Sequence, residues 1–277
     1  MNDTFYYFLN GAYWSVPWFL GLIFIYFIYL LTAKTRIRQK FYFGMALSLI
    51  FLAVGSPLTN LTNFGLHSVV MFQQILMLMV VPAMILKALP ETLGSKYIFR
   101  FFNFSTSEST GSILFLWIIG AIAMWGGHFL SAAILSSKTG LSICGISVAK
   151  GLWIEHIPSL LVMGFLLVSG LFFSLPVFHP DPSKRMAHLK SVIFLFTACL
   201  SCTLLGLDVA FSASSASLAE AIPVFTVLRN PFPMSLRADQ ELAGMLMWVP
   251  GCIFYVVSSM GILLHWYDEA EMVPDNQ

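Results

Sequence analysis

Seven stretches of this chain are apolar over nearly the length a helix needs to cross a bilayer, and nothing else in the sequence limits the fold as tightly. They lie near 17–33, 41–57, 66–87, 112–134, 153–177, 187–209 and 242–266. The hydrocarbon core of a membrane takes about 20 residues of helix, whereas a barrel strand shows only ~10 residues of alternating polarity. Charged residues make up 10% of the 277, against about a quarter in soluble domains. The expected fold is therefore all-α: a polytopic membrane protein, one seven-transmembrane helix bundle spanning 1–277, with no room for a soluble domain. A net charge of +1 gives no electrostatic basis for binding nucleic acid, so membrane lipid is the expected surrounding.

Charge distribution predicts the orientation. The loop after the first run reads KTRIRQK, with Lys34, Arg36, Arg38 and Lys40. Such basic clusters stay in the cytoplasm. Seven spans then place the N-terminus outside and the C-terminus in the cytoplasm. Ten basic residues fall on the cytoplasmic side, and only Lys138, Lys150, Arg229 and Arg237 fall outside. The start, MNDTFYYFLNGAYW, lacks the basic n-region of a cleaved signal peptide, so the first helix is expected to direct its own insertion.

Polar side chains within spans are costly and need a reason. Here they gather at one level. His67 opens the third helix, His128 closes the fourth, Glu155 and His156 open the fifth, Asp208 closes the sixth, and Asp239, Gln240 and Glu241 open the seventh. All of these ends are predicted to lie outside. His67, Met71 and Gln74 are spaced i, i+4 and i+7, so they share one helix face. Imidazole with thioether suits copper, Cu(I) in particular. The expected metal ligands are His67, Met71, His128 and His156. Gln74, Glu155 and Asp239 are expected to orient the imidazoles or to replace a ligand, since a ligating imidazole needs a partner on its other nitrogen. Simpler roles compete. Methionines fill core gaps, and Asp239 at a helix start serves as an N-cap. Cys199 and Cys202, three apart on the sixth helix, fit either packing or metal binding. With Cys144 the only cysteine in an outer loop, a disulfide framework is not expected. No phosphate loop, HExxH or GxSxG is present, and no enzymatic activity is expected.

Four stretches resemble one family. They are GSPLTNL (55–61), VMFQQILMLMVVPAMILKALP (70–90), WIEHIPSLLVMGFLLVSGLFFSLPV (153–177) and, most specifically, DQELAGMLMWVPG (239–251). Together they are similar to the CtaG assembly factor of caa3-type cytochrome c oxidase, a seven-helix protein of the bacterial plasma membrane. The resemblance spans roughly 40–266. It implies a role in copper supply during maturation of a haem–copper oxidase, with histidines near the outer face as ligands. Asp239, Gln240, Gly244, Met247 and Trp248 match the family pattern. Val70 and Gln74 stand where it usually has a histidine pair, Gly126 follows Trp125 where it has a histidine, and Leu152 replaces the first histidine of its fifth helix. The expected function is that of an oxidase assembly factor aiding copper delivery or copper-centre formation at the outer face. Its expected partners are oxidase subunits and a periplasmic copper chaperone. A metal-free scaffold or accessory subunit of the oxidase, and a small copper transporter, are the alternatives.

Overall fold

A backbone surrounded by hydrocarbon can hydrogen-bond only with itself, so each apolar run folds as a helix. The computed structural model describes residues 10–32, 35–62, 66–90, 110–139, 143, 144, 146, 148, 149, 154, 157–212 and 235–271. Its helices are α1 (Val16–Thr32), α2 (Ile37–Val54), the short α3 (Leu58–Thr62), α4 (His67–Ala88), α5 (Thr110–Thr139), α6 (Ser159–Phe178), α7 (His188–Ser212) and α8 (Leu236–Glu271). Among the described residues there is no strand, only an isolated bridge between Ile143 and Ile146. Six helical stretches are long and apolar enough to cross a membrane, and α1, with 17 residues, is a shorter apolar helix beside them.

Helix α6 departs at its start from the expected 153–177, α8 at both ends from 242–266, and α5 runs to Thr139, five residues past the expected 134. Pro158, extended at φ −61° and ψ 125°, is the N-cap of α6, so that helix starts at Ser159. Helix α8 runs through 36 residues, roughly 54 Å at 1.5 Å per residue, so it projects well past a ~30 Å hydrocarbon core. At its polar beginning Arg237 and Glu241 pair one turn apart, at 2.9 Å, and Ala238 N donates to Ser235 Oγ at 3.2 Å.

Helix α4 is central: 72% of its most apolar window is buried, against 17–56% for the other spans. Its polar side chains are accommodated inside the bundle. Gln73 Nε2 donates to the Ala53 carbonyl of α2 at 2.6 Å. At mid-length α4 widens into a π turn, Leu76–Val80, directly before Pro82. Proline has no N–H to give the Leu78 carbonyl four residues back, and that carbonyl faces α6. A Cβ built on Gly170 would lie 2.0 Å from Leu78 O and 2.6 Å from Pro82 Cγ. Only glycine lets the two backbones meet here, the small-residue packing that membrane helices use in place of a hydrophobic drive. Gly170→Ala is therefore expected to lower stability by about 1–3 kcal/mol or more, the scale of overpacking. Gly164→Ala, on the same helix with nothing within 4 Å of its Cβ, should be neutral or stabilising. Thermal unfolding of the two variants in detergent checks this. An equal response in both would remove the close approach.

Helices α7 and α8 are antiparallel and in similar intimacy. A Cβ on Gly244 would meet Gly206 O and Ala210 Cβ at 2.7 Å each, and one on Gly206 would meet Trp248 Cβ at 3.0 Å. Contacts at the helix ends sort the rest of the bundle. Tyr29 Oη donates to Ala88 O at 2.6 Å, and Gln39 Nε2 lies 3.4 Å from Leu89 O. Lys87 sits 4.8 Å over the Phe178 ring, and Arg185 Nε donates to His179 O at 2.7 Å. Arg36, Arg38, Lys87, Lys184 and Arg185 thus share one end of the bundle. His67 and Asp239 lie at the other.

Candidate metal centre

Helix α4 lacks a cap of its own. Leu66, its N-cap residue, contributes no side-chain bond. The first turn is capped instead from α8: Asp239 Oδ2 accepts from His67 N at 2.6 Å, and Asp239 Oδ1 accepts from Ser68 N at 3.1 Å and from Ser68 Oγ. A carboxylate against the exposed N–H groups of a helix start also meets the positive end of its dipole. Asp239 was expected to cap the seventh span and to orient imidazoles. It does neither, because α8 has already begun at Leu236 and both carboxylate oxygens serve α4. Asp239 therefore fixes the His67 backbone, not its ring.

With its backbone held, the His67 ring turns inward. Its Nε2 is 3.3 Å from Cys144 Sγ, and its centroid is 5.8 Å from that of His128 on α5, the planes inclined at 71°. One ligand atom from each of His67, His128 and Cys144 lies within 4.8 Å of the other two. Both histidines are fully buried and Cys144 is nearly so.

The connection after α5 places the thiol. Ile143 and Ile146 exchange hydrogen bonds at 3.0 and 2.9 Å, closing a tight turn around Cys144. Val148 N donates to Ser136 Oγ at 3.0 Å and Ser137 Oγ donates to Ala149 O at 3.3 Å, tying the segment to α5. Cys144 has a φ of +50°. For a residue with a side chain this costs on the order of 1–3 kcal/mol, and such strain concentrates at functional sites. Burial pushes the Cys144 thiol up to about 12; the Ser212 hydroxyl opposes this, while Asp208 and Asp239 add to it. The free thiol is neutral at pH 7.

The imidazoles lack partners. His67 Nδ1 and both nitrogens of His128 are buried without a hydrogen-bond partner among the described residues. Buried polar groups are nearly always satisfied, and each orphan costs about 1–3 kcal/mol. A metal ion bound at the cluster's centre would engage one nitrogen of each imidazole.

The expected ligands are thus partly brought together. His67 and His128 meet. Met71 is fully buried one turn below His67 and belongs to the same packed cluster as Cys144, Val209 and Ala243. Gln74 is buried with Nε2 unpartnered. Glu155 and His156 lie outside the described residues. Cys144 was missed: it was weighed only as a disulfide partner. The available signal was a soft ligand in a short loop at the same end as the histidines. Cys199 and Cys202 do not converge on each other: Cys199 Sγ is 3.3 Å from Cys252 Sγ, and Cys202 Sγ is 3.4 Å from Met124 Sδ.

Comparison with curated proteins and with solved structures returns no match. A family model, described as cytochrome c oxidase caa3 assembly factor (Caa3_CtaG), matches residues 22–269. That interval holds every helix from α2 to α7, nearly all of α8 and the greater part of α1, together with His67, His128, Cys144 and Asp239. The chain belongs to the CtaG family of caa3 cytochrome c oxidase assembly factors.

Proposed function

We propose that this protein assists maturation of a haem–copper oxidase by holding Cu(I) transiently between His67, His128 and Cys144 and releasing it to a nascent oxidase subunit. The observation that carries this is the buried trio within 4.8 Å, with three imidazole nitrogens left unpartnered. Charge favours a monovalent ion. One thiolate and two neutral imidazoles around Cu(I) sum to zero, which suits a buried site where a net charge is costly. A divalent ion in the same trio leaves +1. Imidazole and thiolate also match the softness of Cu(I). Met71 is the nearby thioether that could complete the set.

The basic residues at the opposite end of the bundle support a cytoplasmic location for that end. The trio then faces outward from a bacterial plasma membrane, seven helices crossing with the N-terminus outside, where a periplasmic copper chaperone could load it. Transfer is ligand exchange, with no covalent chemistry by the protein. Gene deletion is the direct test. Oxidase activity should be lost, be recovered in part by excess copper, and be restored by the wild-type gene but not by one encoding His67→Ala with His128→Ala. Full restoration by that double variant would instead make the chain a metal-free accessory of the oxidase.

A further inference from the structure

We propose that Cys202, Met124 and Met79 form a second Cu(I) site in the core of the bundle, separate from the histidine cluster. Met79 is twelve residues beyond His67 along α4, roughly 18 Å at ~1.5 Å per residue. Cys202 Sγ of α7 lies 3.4 Å from Met124 Sδ of α5. On the other side Gly251 of α8 lets Met79 pack closely against the helix backbone. A Cβ there would lie 3.2 Å from Met79 Cε, 3.5 Å from Met79 Sδ and 3.9 Å from Cys202 Cβ. Met79 and Cys202 therefore border the same space, and Cys202, Met124 and Met79 are each 1% exposed. Helices α4, α5 and α7 thus supply two thioethers and one thiol to a region where water is excluded, with Gly251 of α8 packed beside them.

These ligands select a soft ion, and the surroundings select its charge. No Asp, Glu, Lys or Arg occurs at 67–86, 111–137, 191–207 or 242–264, so the core has no counter-charge to offer. One thiolate, two neutral thioethers and Cu(I) sum to zero. On binding, the Cys202 S–H bond breaks and a Cu–S bond forms. The proton leaves with the anionic ligand that delivered the copper, and no electron is transferred. The neighbouring pair, Cys199 and Cys252 at 3.3 Å, would as two thiolates leave a net negative ion in the same core, so the site is assigned to Cys202.

The test loads the full-length protein in detergent with Cu(I) from a coloured Cu(I)-chelator complex under anaerobic conditions. Bound copper is counted, and its ligand shell is read by X-ray absorption. Wild type should hold two Cu(I). The His67→Ala, His128→Ala variant should keep one, in an all-sulfur shell. Adding Cys202→Ser or the volume-conserving Met124→Leu should remove it, with melting temperature confirming the fold. Cys199→Ser with Cys252→Ser should leave it in place. A histidine double variant that binds no copper overturns the assignment. So does a core copper lost with Cys199 and Cys252 but retained without Cys202. A single copper in wild type, all-sulfur and indifferent to the histidines, would sink the histidine-cluster reading while upholding this one.

Discussion

Replacing His67 and His128 together with alanine should strip the nitrogen-ligated copper from the purified protein. Losing a contact that merely supports a metal ligand costs roughly 10–100-fold in affinity, and removal of two ligands should exceed that range. Cys144→Ser should be comparably severe despite its small change in volume. A serine hydroxyl is a hard, neutral donor, so the site would lose both its softness and the one negative charge that balances Cu(I). Thermal unfolding supplies an independent readout. A ligand that binds only the folded state at 100 times its Kd adds about 2.7 kcal/mol. Cu(I) should therefore raise the melting temperature of the wild type more than that of the histidine variant. The metal-free variant itself should melt below wild type, because two buried rings and the His67–Cys144 contact are lost, offset in part by the removal of three buried unpartnered nitrogens, so the copper-induced shift is compared within each variant. Retention of nitrogen-ligated copper after the double substitution would end the proposal.

The second large effect is expected at Asp239. Alanine there strands two backbone N–H groups of α4 and the Ser68 hydroxyl. At about 1–3 kcal/mol for each stranded group, and roughly 2–4 °C for each kcal/mol in a chain of this size, a drop of several degrees or more in melting temperature should follow. Asn is expected to be intermediate: its carbonyl can still accept from Ser68, but its amide meets the His67 N–H donor to donor. Glu241→Ala sets the scale, because its half-exposed pair with Arg237 is worth only about 0.3–0.5 kcal/mol. The effect should also reach Cu(I) affinity, since Asp239 positions the residue that carries the first imidazole. Equal melting temperatures for Asp239→Ala and Glu241→Ala would show that the cap across α4 and α8 contributes nothing.

Helix existence was legible because hydrocarbon leaves the backbone few options, and every long apolar run except its ends was read directly. The gathering of His67, His128 and Asp239 at one end followed from the alternating direction of successive spans. Three features were not legible, each for a physical reason. The π turn before Pro82 depends on how closely Gly170 of another helix approaches, which no local pattern encodes. The destination of the Asp239 carboxylate required knowing that α8 begins three residues earlier, so that its own first turn no longer needs that side chain. Cys144 lies in an irregular segment with a positive φ, where periodicity says nothing about which way a thiol points. The family resemblance was firm on the scaffold residues Gly244, Met247 and Trp248, which pack against or between α7 and its neighbours. It was weakest on the histidines, since Val70, Gln74, Gly126 and Leu152 stand where the resemblance led one to expect imidazoles.

The bond from Asp239 to His67 joins groups 172 positions apart. A ribosome making this chain has the two imidazole-bearing helices in the membrane well before the last segment emerges. Until then the beginning of α4 has nothing to hold it, and the ring of His67 has no fixed aim. On the proposed function, copper capture would then be deferred until synthesis is nearly complete, and a prematurely terminated chain would lack the bond that holds the start of α4.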